Sequence, residues 1–147
     1  MSKKILKIKI EQKFTTLNSS YKNKSITIKN LILHSIGTPQ PDPYKIFNAF
    51  NKPNLGKSIH AAIGNGRIIQ MMPWDKYCGH VGSGTKGSFN SDSIGIEMCE
   101  PNTIKYTGGS NFTDSNPTNT KKVIIDNYNT AVNLFAYLCQ LYKLNPL

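Results

Sequence analysis

The sequence has few of the features that would place it in a specialised class of protein. Its three cysteines, Cys78, Cys99 and Cys139, are odd in number, and none forms a Cys-x-x-Cys pair. This argues against a disulfide framework and for synthesis in a reducing compartment. No apolar run approaches the roughly 20 residues that span a bilayer, and charged residues at positions 7, 9, 11 and 13 interrupt the N-terminal apolar residues. We therefore expect no membrane span, and synthesis in the cytoplasm without a secretory signal.

Acidic residues are also scarce. Eight Asp and Glu against 18 Lys and Arg give a formal net charge of +10. Such a surplus attracts polyanions, which include nucleic acid, anionic lipid and wall polymers that carry phosphates and carboxylates. Only one of the cations is an arginine, Arg67, and the lysines are spread over the chain. Readers of duplex DNA often concentrate arginine on one element, so we expect no nucleic-acid partner, while anionic wall polymers stay candidates.

The apolar pattern predicts one domain over residues 1–147, because the length suits a single core. Alternation at 4–12 predicts a half-buried edge strand, and the continuous apolar run at 31–37 predicts a strand covered on both faces. Segments 58–63 and 67–72 flank Gly64-Asn65-Gly66 and predict a hairpin. The other predicted elements are a helix at 44–51, a glycine-rich loop at 73–92, a strand at 93–99, a polar loop up to Thr120 and an amphipathic helix at 121–142.

Two strands carry side chains that an apolar strand does not need. His34 ends the apolar run before a glycine and proline loop, where an open α/β sheet usually presents its chemistry. It is a candidate metal ligand; the alternative is a half-buried histidine bonded to a nearby carbonyl. Glu97 interrupts the second apolar strand, so it needs a partner, a raised pKa or a metal-bound water beside it. The alternative is a structural ion pair with Arg67 or a lysine.

The other two histidines are weaker candidates. His80 lies on the glycine-rich loop, where it could be a further metal ligand or a donor to a developing oxyanion. His60 lies inside the predicted hairpin, and a histidine in such a strand is more often structural than a ligand. If His34 and Glu97 are neighbours, together they provide a metal ligand and a general base, which is the arrangement of zinc hydrolases.

These residues lie in a series of motifs that resembles the type 2 N-acetylmuramoyl-L-alanine amidases, the zinc amidase family that includes phage endolysins, bacterial autolysins and peptidoglycan recognition proteins. The order and spacing of the motifs carry the resemblance, which is greatest to clostridial-type members. The matching pieces are Leu33-His34-Ser35, Ser58-Ile59-His60 with the hairpin at 64–70, Pro73-Trp74, Gly79-His80-Val81-Gly82 and Ser93-Ile94-Gly95-Ile96-Glu97.

The resemblance implies an α/β fold, with a mixed central β-sheet, packed helices and a zinc ion at the ends of the central strands. It implies that His34 is the first zinc ligand and that Glu97 is the catalytic acid/base residue. His80 and Trp74 match positions that line the substrate groove, and His60 is assigned with them to substrate binding. The implied partner is bacterial peptidoglycan.

One departure from the family pattern concerns the metal. The resemblance implies that the second and third zinc ligands follow the long helix, in a segment expected beyond Leu147, and no histidine follows His80. A catalytic zinc site needs three protein ligands and a water. Three explanations stay open: a truncated amidase domain, which we favour, a different zinc site built from His34, His80 and Cys99 or His60, or a module that binds peptidoglycan without cleaving it.

The functional hypotheses follow in the same order. The first is a zinc-dependent amidase that cleaves the bond between N-acetylmuramic acid and L-alanine and acts on the wall after phage lysis or another non-classical release. The second is a silent wall-binding module. The third, a cationic nucleic-acid binder, lacks an arginine cluster or a known motif, and a steep salt dependence of DNA affinity would identify it.

Overall fold

A five-stranded mixed sheet forms the centre of the fold in the computed structural model, which describes residues 7–21 and 24–146. The strands follow the order β1-β4-β3-β5-β2. The pairs β1/β4, β3/β5 and β5/β2 are parallel, and β3/β4 is antiparallel. This confirms the predicted α/β class with a mixed sheet. The strand bounds are β1 Glu11–Gln12, β2 Asn30–Ser35, β3 Ala61–Gly64, β4 Arg67–Gln70 and β5 Ser93–Met98.

The hairpin of β3 and β4 confirms the prediction from the Gly-Asn-Gly sequence. Asn65 and Gly66 both have positive φ, 51° and 69°, which matches the right-handed twist of a two-residue hairpin turn. Gly64 is also needed, because a Cβ there would lie 2.5 Å from the Pro41 carbonyl oxygen. The strands are shorter than predicted, with four residues each.

Two helices cover opposite faces of the sheet. Helix α1, Pro43–Phe50, begins at Asp42, whose side chain accepts from the Tyr44 amide, and proline stands in its first turn; both are helix-start signals. Helix α2, Pro117–Tyr142, begins earlier than predicted because Asn116 caps it. It ends where Lys143 adopts the left-handed conformation with φ 54°.

The helices create two hydrophobic layers. On one face, α2 packs against apolar side chains of β5 and β3, with Ile94, Ile96, Leu134 and Leu138 fully buried. On the other face, α1 contributes Ile46, Phe47 and Phe50, which pack with Ala62, Ile69 and Met71. Because side chains alternate along a strand, β3 and β4 each contribute apolar side chains to both layers.

Strand β2 differs from its prediction. It lies at one end of the strand order, beside β5 alone, and its residues are half-buried or exposed. A strand covered on both faces was therefore the wrong expectation: Leu31 and Leu33 pack towards α2, but β2 lies at the rim of the sheet. Of the predicted edge strand at 4–12, only Glu11–Gln12 form a strand, β1, at the opposite end of the order. Residues 7–10 are not in a strand, and residues 4–6 lie outside the described part.

The predicted polar loop before α2 is also wrong, because it contains a hairpin. Strands β6, Ile104–Gly108, and β7, Asn111–Asp114, form a separate two-stranded sheet. Most of its residues are exposed, so it needs no apolar alternation and gives no sequence signal for a strand.

Among residues 7–21 and 24–146, no helix has the length and apolar content that a bilayer crossing requires, and the three cysteines are free.

Candidate functional site

The candidate site lies at the C-terminal ends of two neighbouring parallel strands. His34 of β2 is directly paired in register with Glu97 of β5, so their side chains lie on the same face of the sheet. Their neighbours Leu33 and Ile96 belong to the layer under α2. His34 and Glu97 therefore point to the side of the sheet that α1 covers. The two residues are neighbours, the arrangement that the sequence analysis considered.

His80 joins them from the glycine-rich loop. Its Nδ1 lies 3.0 Å from His34 Nε2, and its own Nε2 lies 3.0 Å from Ser93 Oγ. Asn90 holds the loop in place, because its Oδ1 accepts from the amides of His80 and Val81. The structure thus brings His34, His80 and Glu97 to one face.

Gly95 leaves room for the His80 ring, because it has no side chain. The glycine lies on β5 between Ser93 and Glu97, and a Cβ there would lie 2.3 Å from atoms of the His80 ring. Real atoms do not approach so closely, so any larger residue at 95 must displace the ring. Sequence reasoning found the glycine only as part of a motif, and the structure gives its physical reason.

Glu97 is a half-buried carboxylate with an unsatisfied oxygen. Its Oε2 is buried and receives no hydrogen bond from the described residues. Burial raises the pKa of Glu97 to about 7; the Glu100 charge adds to the rise, and the Lys57 charge opposes it. The alternative of an ion pair with Arg67 or a lysine is not supported, because no salt bridge among the described residues involves Glu97; Arg67 lies over the Tyr44 ring, 5.2 Å from its centroid. A carboxyl group that changes charge near pH 7 is suited to proton transfer.

Burial favours the neutral form of the two histidines beside it. Burial lowers the pKa of His34, and burial together with the nearby His34 lowers the pKa of His80 to about 4. A neutral imidazole keeps one nitrogen lone pair, which a metal ion requires.

A groove opens beside Glu97 and His80. It has a volume of about 420 Å³ and runs between α1 and the end of the sheet, with Lys45 and Lys57 on its walls. A second hollow of about 400 Å³ adjoins it and shares Lys57, Gly79 and His80. A larger trough of about 960 Å³ lies on the opposite face between β2 and α2, but its lining includes neither His34 nor Glu97. Glu97 and His80 therefore line the smaller groove and not the larger trough.

The structure does not bring His60 or Trp74 to this groove. His60 has no exposed surface; its Nδ1 accepts from the Gly95 amide and its Nε2 lies 2.9 Å from the Lys76 carbonyl oxygen. Trp74 is 9% exposed and belongs to the layer under α2. Direct substrate contact by either side chain is thus contradicted, because both are enclosed by protein. His60 is a structural histidine, the alternative left open above.

Sequence reasoning missed Glu100, which is 4% exposed. Its Oε1 accepts from the Ser35 hydroxyl at 2.6 Å and the Gly37 amide at 2.9 Å, and its Oε2 accepts from the Tyr106 hydroxyl at 2.9 Å. Glu100 therefore ties the residues after His34 to the β6–β7 hairpin. The signal in the sequence is a second carboxylate only three residues after Glu97.

The described residues provide only part of a metal site. His34 offers an imidazole there, hydrogen-bonded to His80, but no group of three or more His, Cys, Asp or Glu side chains in residues 7–21 and 24–146 is arranged to hold an ion. The alternative zinc site completed by Cys99 or His60 is therefore not formed by the described residues, in which both side chains are buried. His34 fits a zinc ligand, and further ligands are needed beside it.

Similarity to known proteins agrees with this geometry. The sequence is 44% identical over 48 residues to N-acetylmuramoyl-L-alanine amidase CwlH of Bacillus subtilis (strain 168), which covers 33% of this chain and 19% of the relative. It is 41% identical over 59 residues to N-acetylmuramoyl-L-alanine amidase CwlA of a Bacillus species, covering 40% and 22%. The matches thus span about a fifth of the length of these curated relatives.

The fold is similar to that of a solved structure described as the catalytic domain of XlyA. The TM-score is 0.72 at 20% sequence identity, and the match covers 94% of this chain and 80% of that one. At this identity the similarity supports the fold. The family model described as N-acetylmuramoyl-L-alanine amidase matches residues 23–147, which is most of the sequence. The chain belongs to the N-acetylmuramoyl-L-alanine amidase family.

Proposed function

We propose that this chain supplies catalytic residues of a zinc-dependent amidase that hydrolyses the amide between N-acetylmuramic acid and L-alanine in peptidoglycan. The observation that carries the proposal is the register pairing of His34 and Glu97 on one sheet face, where Glu97 lines a groove. Burying either polar side chain at a half-buried strand end costs free energy. Together the two side chains provide a metal ligand and a proton acceptor. We further propose that the protein acts on the cell wall after release by phage lysis or another non-classical route.

Glu97 would transfer the proton. Its carboxylate takes a proton from the attacking water as the new C–O bond forms, and gives it to the amine nitrogen as the C–N bond breaks. A pKa of about 7 suits both steps, because the group gives and accepts a proton at similar cost near neutral pH. Zinc bound with His34 among its ligands would polarise the carbonyl and lower the pKa of the water.

Lys45 and Lys57 would receive the substrate. Both line the groove that holds Glu97, and the stem peptides and wall polymers of peptidoglycan carry carboxylates or phosphates. The charge surplus of +10 adds a longer-range attraction, which salt weakens. We expect binding to wall fragments to fall as the ionic strength rises.

The test is hydrolysis of purified peptidoglycan by the zinc-loaded protein, followed through the newly exposed amino group of L-alanine. We expect Glu97→Gln to lower the rate about 10²- to 10⁴-fold, the usual contribution of a general base, while binding to peptidoglycan stays unchanged. Glu11→Gln is the matched control, since Glu11 is an exposed carboxylate that contacts the Tyr44 hydroxyl. Wild-type hydrolysis by the Glu97→Gln variant would refute the catalytic assignment.

A second candidate function is a wall-binding module without catalysis. The missing three-ligand cluster within the described ranges favours it. Peptidoglycan binding that a chelator leaves unchanged, with no amine released by the zinc-loaded protein, would identify this function.

A further inference from the structure

A chain of hydrogen bonds runs from the loop to His34. It begins at the Phe89 carbonyl oxygen, which the Ser93 hydroxyl contacts at 2.5 Å. Ser93 Oγ lies 3.0 Å from His80 Nε2, and His80 Nδ1 lies 3.0 Å from His34 Nε2. Ser93 is fully buried. Each link is a hydrogen bond of ordinary length or shorter.

The direction of each bond follows from the carbonyl. A carbonyl oxygen only accepts, so the Ser93 hydroxyl proton lies towards Phe89. A hydroxyl has a single proton, so Ser93 Oγ accepts from His80, and His80 carries its proton on Nε2. In a neutral imidazole the other nitrogen is then an acceptor, and His80 Nδ1 accepts from His34.

We propose that His80 is a positioning residue that fixes the tautomer of His34 with its proton on Nε2 and its Nδ1 lone pair free for a cation. The role of this lone pair rests on the proposed function, but the order of the protons is a property of the chain itself. Histidine ligands of metals commonly donate their second N–H to a partner that fixes ring and tautomer. Here the partner is a second histidine, anchored by a buried serine.

The surroundings prevent the His80 ring from reversing its role. On one side the ring lies against Gly95, where no Cβ separates it from β5. The backbone amide of His80 donates to Asn90 Oδ1 at 2.9 Å. A flip of the ring about its Cβ–Cγ bond would put Cδ2 and Cε1 where Nδ1 and Nε2 now lie, so the hydrogen bonds to His34 and Ser93 would both be lost.

The direct test reads the two ring nitrogens of His34 by long-range ¹H–¹⁵N NMR on the metal-free, isotope-labelled chain at pH 7.5. Protonated and unprotonated ring nitrogens have well-separated ¹⁵N shifts, so the tautomer is observed without any bound metal. We expect a single His34 tautomer, protonated at Nε2, in the wild type. A His34 protonated at Nδ1, or an even mixture, would overturn the proposal.

Matched variants assign the effect to His80. In His80→Asn, the amide oxygen can take the place of Nδ1 as acceptor, so we expect the His34 tautomer to persist. His80→Leu keeps the bulk but removes the acceptor, and Ser93→Ala removes the distant anchor with the loss of one oxygen atom. We expect both to give a mixture of His34 tautomers, and an unchanged tautomer in both would refute the role.

Zinc titration of the same proteins adds a second measurement. Loss of a partner that orients a ligand typically weakens metal affinity 10- to 100-fold, so His80→Leu should fall by this factor and His80→Asn by less. Dispersed amide spectra of each variant check that it is folded. If the tautomers are as expected but the zinc-loaded chain releases no amine from peptidoglycan, the proposed function fails and the positioning role stands.

Discussion

The two faces of β5 carry different kinds of side chain, apolar on one face and mostly polar on the other. The face towards α2 carries Ile94 and Ile96, which are fully buried in the apolar layer. The other face carries Ser93, Gly95 and Glu97. The Ser93 hydroxyl contacts the His80 ring, Gly95 has no Cβ and so leaves room for that ring, and the Glu97 carboxylate lines the same groove as His80. One strand of six residues thus anchors the fold with one set of side chains and builds the site with the other.

The largest effect is expected on the apolar face. Ile96→Ala removes a fully buried side chain whose register neighbours are Leu33 and Ala61. We expect a loss of about 3 kcal/mol in the free energy of unfolding, from lost burial and the cavity left behind, measured by denaturant unfolding. Ile124→Ala on α2 is the control, because Ile124 is 43% exposed and should cost far less. Equal costs would contradict the division between the faces.

A smaller effect is expected at the glycine of the opposite face. Gly95→Ala places a Cβ where the His80 ring lies, so the ring must leave its contacts with His34 and Ser93. We expect a loss of about 2 kcal/mol, as for overpacking elsewhere, together with a changed His80 NMR signal. Gly56→Ala, which meets nothing within 4 Å, should leave both unchanged. A normal His80 signal in the Gly95→Ala variant would show that the ring does not depend on this glycine.

The third effect is expected for Glu97→Gln, which should stabilise the folded protein and not destabilise it. Its folded-state pKa of about 7 lies above its ordinary value of 4.5, so the folded protein holds a proton that the unfolded chain releases, and stability falls as pH rises from about 4.5 to 7. Glu97→Gln removes this cost. After discounting for solvent access, we expect the variant to be about 1 kcal/mol more stable at pH 8.

The measurement is the melting temperature across this pH range. The gain over wild type should amount to a few degrees at pH 8 and disappear near pH 4, where the wild-type carboxyl is protonated in both states. A constant difference at all pH values would show that packing, and not charge, separates the two proteins.

The smallest effect is expected on the side of α2 that faces solvent. Lys122 and Asp126 form an ion pair one turn apart, with side chains 74% and 56% exposed. Lys122→Ala should change the free energy of unfolding by less than about 0.5 kcal/mol, as is usual for exposed pairs. High salt should remove even that difference. A loss comparable to that of Ile96→Ala would overturn the view that the apolar face dominates stability.

Sequence reasoning found the elements that have strong local signals. The helix at Asp42-Pro43, the Asn65-Gly66 turn and the long amphipathic helix all follow from capping, positive φ and periodicity. It failed where local signals are weak or absent. An apolar run does not distinguish a covered strand from one at the rim of a sheet, as β2 shows, and an exposed hairpin such as β6–β7 has no buried face to mark it.

The site was predictable in part for the same reason. His34 and Glu97 stand out because each is a costly residue in an apolar strand. Trp74 and His60 stood out equally in the motifs, but burial depends on how distant segments pack, and that placed them inside the protein. Ser93 and Glu100 gave little signal, because a buried hydroxyl or carboxylate becomes significant only through partners such as His80, Ser35 and Tyr106.

The position of β2 at the end of the strand order has a consequence for how separate molecules behave. Within the described ranges no strand pairs with its outer side, so its free amide and carbonyl groups form a template on which a second molecule could add a strand. The net charge of +10 opposes such contact between identical molecules. The lysines therefore have a second effect, colloidal stability, and concentrated salt should promote self-association through this exposed edge.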